Sequence, residues 1–156
     1  MGSADTIYLV RHAKAGERRT WELDDHDRPL SKAGTRQAKA IAKRLAEKRA
    51  TSLYSSSYVR CVQTLEPLGL LIGRPVEIDK RLVEDEPFEP VLDLIEEVED
   101  GAVLCSHGDI IPATIVALQR RGMDVRTAAD WRKGTIWVLR RKRGRVTQGK
   151  VWPPPT

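Results

Sequence analysis

The chain has 156 residues, of which 40% are hydrophobic and 31% are charged. A chain of this length buries roughly two-thirds of the surface that it exposes when unfolded, which is enough for one ordinary domain. The composition excludes a disordered or collagen-like chain, and no apolar run approaches the ~20 residues of a membrane span. The N-terminus shows no signal peptide, and two Cys make no disulfide framework. We therefore expect a single domain, residues 1–156, in the cytoplasm.

The net charge of +5 is unevenly distributed along the chain. Eight of the 27 basic residues and none of the 22 acidic residues lie within residues 132–156, so the remainder is mildly acidic. Such a basic strip is able to contact nucleic acid or anionic lipid. Lys and Arg also keep a solvated edge strand from pairing with other chains, and we favour this interpretation. Neither nucleic acid nor a membrane is expected as a partner, and the sequence carries no signal for an oligomeric state.

Apolar runs and helical stripes alternate along the chain, which predicts a layered α/β domain. In chain order, the pattern predicts strand 7–10, helix 31–49, strand 52–55, helix 58–65, strand 76–78, a helix from residue 90, strand 102–105, helix 109–121 and a basic hairpin at 135–151. Pro67 and Gly69 are expected to disturb the end of the second helix. Gly144 is expected at the turn of the hairpin, which a Pro-rich tail, 152–156, follows.

Arg, His and Ser, which are residue types common in active sites, follow three of the predicted strands, either directly or in the turn after the strand. They are Arg11-His12, the turn 55–60 with Arg60, and Ser106-His107-Gly108. In open α/β sheets, ligands bind in the crevice outside the carboxyl ends of the strands. We therefore expect these three segments to share one site.

Two His and two Arg in one crevice are suited to phosphoryl transfer. Arginine presents a rigid fork of donors that matches phosphate oxygens, and a neutral imidazole nitrogen is able to accept a phosphoryl group. A second His donates to an equatorial oxygen as charge shifts during transfer. An acid that protonates the leaving group is still required, and the segment Glu84-Asp85-Glu86 offers three candidates.

Four segments, in order along the chain, resemble the motifs of the histidine phosphatase superfamily, the phosphoglycerate-mutase-like proteins. Residues 9–13 (L-V-R-H-A) resemble the R-H-G signature, and residues 54–64 (Y-S-S-S-Y-V-R-C-V-Q-T) resemble S-x-x-x-R-x-x-Q-T. Residues 81–84 (R-L-V-E) and 105–108 (C-S-H-G) resemble L-x-E and [TS]-H-G. Residues 28–34 (R-P-L-S-K-A-G) resemble a pattern found in small members of the superfamily. The whole chain resembles the short branch of the superfamily that includes the SixA-like phosphohistidine phosphatases.

The resemblance implies a three-layer α/β/α sandwich with a mixed, mostly parallel central sheet. It also implies that His12 is the nucleophile, that Arg11, Arg60 and His107 bind the phosphate, and that Glu84 is the proton donor. No metal and no organic cofactor is required by this scheme. The implied activity is a cofactor-independent phosphatase that acts on a phosphomonoester or on phosphohistidine through a phosphohistidine intermediate.

Some features of the resemblance leave alternatives open. Ala13 stands where the family usually has Gly, and Arg28 is a further candidate phosphate ligand. Because Glu84 begins a long acidic run, Asp85 or Glu86 is an alternative acid. The substrate is a phosphorylated small molecule or a phosphoprotein. The alternative function is a catalytically weak phosphate-binding module that uses the basic strip for an anionic partner.

Overall fold

A computed structural model describes residues 4–156 as one mixed sheet with helices on both faces. The strands are β1 (Asp5–Arg11), β2 (Ser52–Ser55), β3 (Val76–Ile78), β4 (Ala102–Ser106), β5 (Asp124–Val125), β6 (Ile136–Lys142) and β7 (Arg145–Trp152). The α-helices are α1 (Lys32–Glu47), α2 (Val59–Ile72), α3 (Glu89–Glu97) and α4 (Ile110–Arg120). Among these residues, no helix combines the length and the apolar character that crossing a bilayer demands.

The seven strands lie in the order β3-β2-β4-β1-β6-β7-β5. β1 to β4 are mutually parallel, β6 pairs antiparallel with both β1 and β7, and β5 pairs parallel with β7. The expected mixed, mostly parallel sheet is therefore confirmed. The central position of β1 and β4 puts the carboxyl ends of two adjacent parallel strands in the middle of the sheet, where a crevice forms most readily.

Alternation along β1 divides the buried residues between two cores. Ile7 and Leu9 face the core formed with α3 and α4, whereas Tyr8 and Val10 face the core formed with α1 and α2. Successive side chains of a strand point to opposite faces, so a strand buried on both sides is apolar at every position. The three-layer sandwich follows from this double burial.

Helix α2 is longer than the sequence predicts, because it continues through Pro67 to Ile72 and ends at Gly73 in a left-handed conformation, φ 69°. Proline in a helix interior removes one backbone hydrogen bond and normally ends or kinks the helix. Leu65 and Leu68 are fully buried against the sheet on either side of Pro67. Tertiary burial of this face therefore outweighs the local preference for ending the helix.

The basic hairpin forms as β6 and β7, with Arg143 and Gly144 both at positive φ in the two-residue turn. The interpretation of the strip as an edge strand is wrong for β6, which lies between β1 and β7. It holds for most of β7, which the short strand β5 pairs only at Gln148 and Gly149. The two-residue strand β5 was not predicted, since a segment of that length carries no periodic signal.

Candidate active site

The predicted site residues meet at the carboxyl ends of β1, β2 and β4. Arg11 pairs in register with Ser106, and the His12 amide donates to the Ser106 carbonyl at 3.1 Å. A cavity of about 420 Å³ opens there, and its lining includes Arg11, His12, Arg28, Arg60 and Glu84. The ring centroid of His107 lies 5.5 Å from that of His12. The structure thus brings together all six residues that the sequence singles out.

His12 is held as a neutral imidazole with one nitrogen free. Its Nδ1 lies 2.8 Å from the Ala13 carbonyl oxygen, which can only accept, so Nδ1 carries the proton. Burial lowers the pKa of His12 to about 3. The hydrogen bond to Ala13 by itself would raise this pKa, whereas the charges of His107, Arg60 and Arg11 lower it further. The lone pair therefore resides on Nε2, which no protein atom of residues 4–156 engages.

The segment after His12 is fixed by residues of the second motif. The amide of Ala13 donates to Thr64 Oγ1 at 2.9 Å, and Thr64 Oγ1 donates to the Arg60 carbonyl at 2.7 Å. Gln63 Oε1 accepts from the Leu30 amide at 2.8 Å. The Q-T pair of this motif therefore acts through backbone contacts that hold the His12 loop in place.

The start of α1 packs directly onto the same loop. Ser31 caps the helix by accepting from the Gly34 amide at 3.0 Å, and the Ser31 amide donates to the Lys14 carbonyl at 3.0 Å. A Cβ at Gly34 would lie 1.7 Å from the Lys14 carbonyl oxygen. Only glycine allows this approach, which explains the glycine at the end of the segment 28–34.

Arg60 is a buried cation, 1% exposed, in the first turn of α2. A positive charge at a helix N-terminus is unfavourable, because the helix dipole is positive there. Its Nη2 lies 2.8 Å from Glu84 Oε1 and 3.2 Å from Asp25 Oδ2, and its Nη1 donates to the Asp25 carbonyl at 3.0 Å. Arg60 Nε has no partner among the described residues. The guanidinium is thus surrounded by anions and keeps a donor unused.

His107 is fixed through its Nε2 and has its Nδ1 unpartnered within residues 4–156. Nε2 lies 2.8 Å from Ser56 Oγ and 3.5 Å from Cys61 Sγ. Nδ1 lies 3.6 Å from Glu84 Oε2, and the Tyr58 ring packs edge-on against His107 at 4.9 Å. Both Cys61 and Cys105 are free, buried thiols.

Glu84 contacts both predicted phosphate ligands, Arg60 and His107. Its loop is attached to the H-G segment, because Ser106 Oγ donates to the Leu82 carbonyl at 2.6 Å. The Asp85 amide donates to Asp109 Oδ2 at 2.9 Å. Of the alternative acids, Asp85 also lines the cavity, whereas Glu86 lines a separate groove next to Pro87. The geometry therefore favours Glu84.

Arg11 packs its guanidinium against Gly108. A Cβ at Gly108 would lie 2.7 Å from Arg11 Cζ, so glycine there makes room for the arginine. Arg11 Nη1 donates to the Trp131 carbonyl, and Nε is unpartnered among the described residues. Burial lowers the pKa of Arg11 from its ordinary value, and the negative charge of Asp109 partly offsets this decrease. The glycine of the last motif is thus a packing requirement of the first motif.

Arg28 lies in the cavity wall, 5% exposed, but two of its donors hold the loop. Its Nε donates to Asp25 Oδ1 at 2.8 Å and its Nη1 to the Gly16 carbonyl. Asp25 also lies 3.6 Å from Arg18 Nε. Burial by itself would raise the pKa of Asp25, but the Arg28 hydrogen bond and the charges of Arg60, Arg28 and Arg18 hold it below its usual value.

Sequence reasoning missed four residues of this site. They are Asp25, Ser56, Tyr58 and Lys133. Asp25 stands in the acidic stretch 24–27, and Ser56 and Tyr58 lie inside the second motif. Their nearness to these segments was the only feature of the sequence that could have indicated a role in the site. Lys133 was counted only as part of the basic strip, although it lines the cavity. Their roles depend on which loops pack together, which local pattern does not encode.

The fold and the site define an α/β protein with an arginine-lined cavity that contains a buried histidine of lowered pKa. The model of the histidine phosphatase superfamily (branch 1) matches residues 7–86. The chain therefore belongs to the histidine phosphatase superfamily, and its structural likeness is to the SixA-like branch.

Three known proteins illustrate this relationship. The chain is 32% identical, over 96% of its length, to 48% of an 8-oxo-(d)GTP phosphatase of Mycolicibacterium smegmatis. It thus spans about half the length of that relative. A structure from Nakamurella multipartitia, assigned as a phosphohistidine phosphatase SixA, has a TM-score of 0.76 at 27% identity and covers 99% of both chains. One from Agrobacterium tumefaciens with the same assignment has a TM-score of 0.76 at 25% identity over 97% of this chain and 99% of that one.

Proposed function

We propose that this protein is a phosphatase that transfers a phosphoryl group to His12 and then to water. The single observation that carries the proposal is the state of His12. Its Nδ1–H is held by the Ala13 carbonyl and its pKa lies near 3, so a neutral Nε2 faces the cavity beside Arg11 and Arg60. A free imidazole lone pair next to cations is the arrangement that attack on a phosphoryl group requires.

In the first step, His12 Nε2 forms a bond to phosphorus while the bond between phosphorus and the leaving oxygen breaks. Arg11, Arg60 and His107 bind the equatorial oxygens, for which Arg11 Nε, Arg60 Nε and His107 Nδ1 are unused donors. The Glu84 carboxyl gives its proton to the leaving oxygen. Its contacts with Arg60 and His107, at 2.8 and 3.6 Å, support this role, because both of these residues are proposed phosphate ligands.

In the second step, water attacks phosphorus and the bond between phosphorus and Nε2 breaks. Glu84 takes a proton from this water, which restores the acid and releases inorganic phosphate. Arg28 holds the cavity wall through Asp25 and adds positive charge to it. No metal or organic cofactor enters either step.

The substrate is a phosphorylated small molecule or a phosphoprotein. One relative is named for 8-oxo-(d)GTP, and two structural neighbours are assigned to phosphohistidine. The cavity of about 420 Å³ is open enough for either class, since a small-molecule site usually spans about 300–1,000 Å³.

The experiment is a phosphoenzyme trap with wild-type protein and His12→Ala. Rapid quenching with labelled p-nitrophenyl phosphate should give a base-stable, acid-labile phosphoprotein in the wild type alone. Turnover by His12→Ala should fall below about 1% of wild type, and wild-type turnover should persist in EDTA. Phosphate binding without turnover in the wild type would instead support a catalytically weak binding module. Label on a residue other than His12 would disprove the mechanism.

A further inference from the structure

Lys133 occupies a fixed position beside the nucleophile, although it belongs to the basic strip. It lies in the turn before β6, where the Gly134 amide donates to the carbonyls of both Arg11 and His12, at 3.2 and 3.1 Å. The Arg11 amide donates to the Thr135 carbonyl at 3.0 Å. The backbone around Lys133 is therefore attached to the end of β1, next to His12.

The Lys133 ammonium has no acidic partner. No carboxylate oxygen of residues 4–156 lies within 4.0 Å of it, whereas Glu84 and Asp25 are paired with arginines. Partial desolvation at the cavity rim lowers the pKa of Lys133, and the charges of Arg11, Arg28, Arg60 and Arg18 lower it further. A cation held among arginines is repelled by them unless an anion binds in the same cavity.

The position of Lys133 relative to the cavity floor indicates which part of a substrate it meets. Arg60 and His12, 1% and 4% exposed, form the buried floor of the cavity, where the proposed mechanism transfers the phosphoryl group. Lys133 lines the same cavity but is exposed to solvent, so it lies at the rim. The group attached to the transferred phosphoryl extends from the floor toward the rim.

We propose that Lys133 binds a second phosphate of the substrate, adjacent to the phosphoryl group that is transferred. The preferred small-molecule substrates are then organic diphosphates or longer phosphate chains rather than simple monoesters. This inference rests on the proposed function and specifies its substrate class. When His12 Nε2 forms its bond to the terminal phosphorus, the bridging P–O bond breaks and the second phosphate leaves with the bridging oxygen as an organic phosphate. Lys133 neutralises the charge that this leaving phosphate gains.

Three further carboxylates, those of Glu17, Asp85 and Asp109, also line the cavity. None of them forms an ion pair within the described residues, so all three contribute negative potential that opposes a second phosphate. The contribution of Lys133 is therefore measured by removing its charge and comparing two substrates in the same protein.

The test compares kcat/KM for ADP with kcat/KM for p-nitrophenyl phosphate in wild type, Lys133→Gln and Lys133→Arg. In Lys133→Gln the ratio of the two values should fall roughly 10- to 100-fold, mainly through KM for ADP, because a charged hydrogen bond is lost. Lys133→Arg should restore most of the ratio. Lys43→Gln, which removes an exposed charge from α1, is the matched control and should leave the ratio unchanged.

An equal loss for both substrates would mean that Lys133 contacts the transferred phosphoryl group, and no loss for either would mean that it is merely solvated. Both outcomes would overturn the inference. A binding measurement keeps the inference separate from turnover: by calorimetry, His12→Ala should bind pyrophosphate more tightly than phosphate. Adding Lys133→Gln should reduce that preference roughly 10-fold or more. If the wild type failed to turn over any substrate but this preference held, the proposed function alone would fail.

Discussion

The Ser56 hydroxyl lies 2.8 Å from His107 Nε2 and 3.3 Å from the Tyr58 amide nitrogen. The Tyr58 amide donates to one lone pair of Ser56 Oγ, which leaves the hydroxyl proton and the other lone pair for the contact with His107 Nε2. The His107 ring is therefore held through Nε2, with its Nδ1 3.6 Å from Glu84 Oε2. A serine of the second motif thereby fixes the orientation of the His107 ring beside Glu84.

We predict that Ser56→Ala lowers kcat for p-nitrophenyl phosphate roughly 10-fold, because the His107 ring loses the hydrogen bond that fixes its orientation. Ser56→Thr keeps a hydroxyl and should recover most of the rate. Ser57→Ala, whose hydroxyl contacts His26 instead, is the matched control and should behave as wild type. An equal loss of rate in all three variants would indicate a general packing defect.

The contact of Glu84 with Arg60 and His107 leads to a prediction about leaving groups. An alkyl phosphate leaves as a strongly basic alkoxide that needs a proton, whereas p-nitrophenolate needs far less help. Glu84→Gln should therefore lower kcat/KM roughly 10²–10⁴-fold for an alkyl phosphate, with at least a tenfold smaller loss for p-nitrophenyl phosphate. Asp85→Asn is the control for the alternative acid. Equal losses for both substrates in Glu84→Gln would assign the acid to another group.

The low pKa of His12 predicts a specific dependence of stability on pH. Its folded-state pKa is about 3, below the ordinary value of 6.5. As pH falls from 6.5 toward 3, only the unfolded state takes up the proton, so stability is lost over that range, by at most about 1.4 kcal/mol per pH unit. Urea unfolding at pH 7, 6 and 5 should show a steeper loss in wild type than in His12→Gln. Parallel curves would contradict a neutral, buried His12.

The basic strip contains one residue with a structural role. Arg141 is 6% exposed, and its Nη1 donates to the carbonyls of Ile95 and Val98, each at 2.7 Å, at the end of α3. Its Nη2 lies 2.8 Å from Asp5 Oδ2. Arg141→Gln should lower the free energy of unfolding by roughly 2–4 kcal/mol, because these acceptors lose a charged donor.

Arg140→Gln is the matched control for Arg141, since it is the adjacent residue and its side chain is exposed. It should change the free energy of unfolding by less than about 0.5 kcal/mol. Urea denaturation of both variants measures the difference. A loss in Arg141→Gln no greater than that in Arg140→Gln would mean that its buried hydrogen bonds do not contribute to stability.

The sequence by itself determined which segments form the main strands of the sheet. It also determined which reactive side chains follow those strands. Arg11, His12 and His107 directly follow apolar runs, and parallel strands bring their carboxyl ends to one edge, so local pattern was sufficient. The position of Arg60 in the second motif was predictable in the same way, since Arg60 lies in the first helical turn after a strand. These features depend on residues that are close to one another in the chain.

Only the tertiary structure decided what surrounds those residues. Asp25 reaches Arg60 across 35 positions, and Arg11 Nη1 donates to the Trp131 carbonyl across 120, in the turn that also carries Lys133. The continuation of α2 through Pro67 and the burial of Arg141 likewise depend on packing between distant segments. Such contacts follow from how loops and layers close on each other, a long-range property that neither periodicity nor motif spacing encodes.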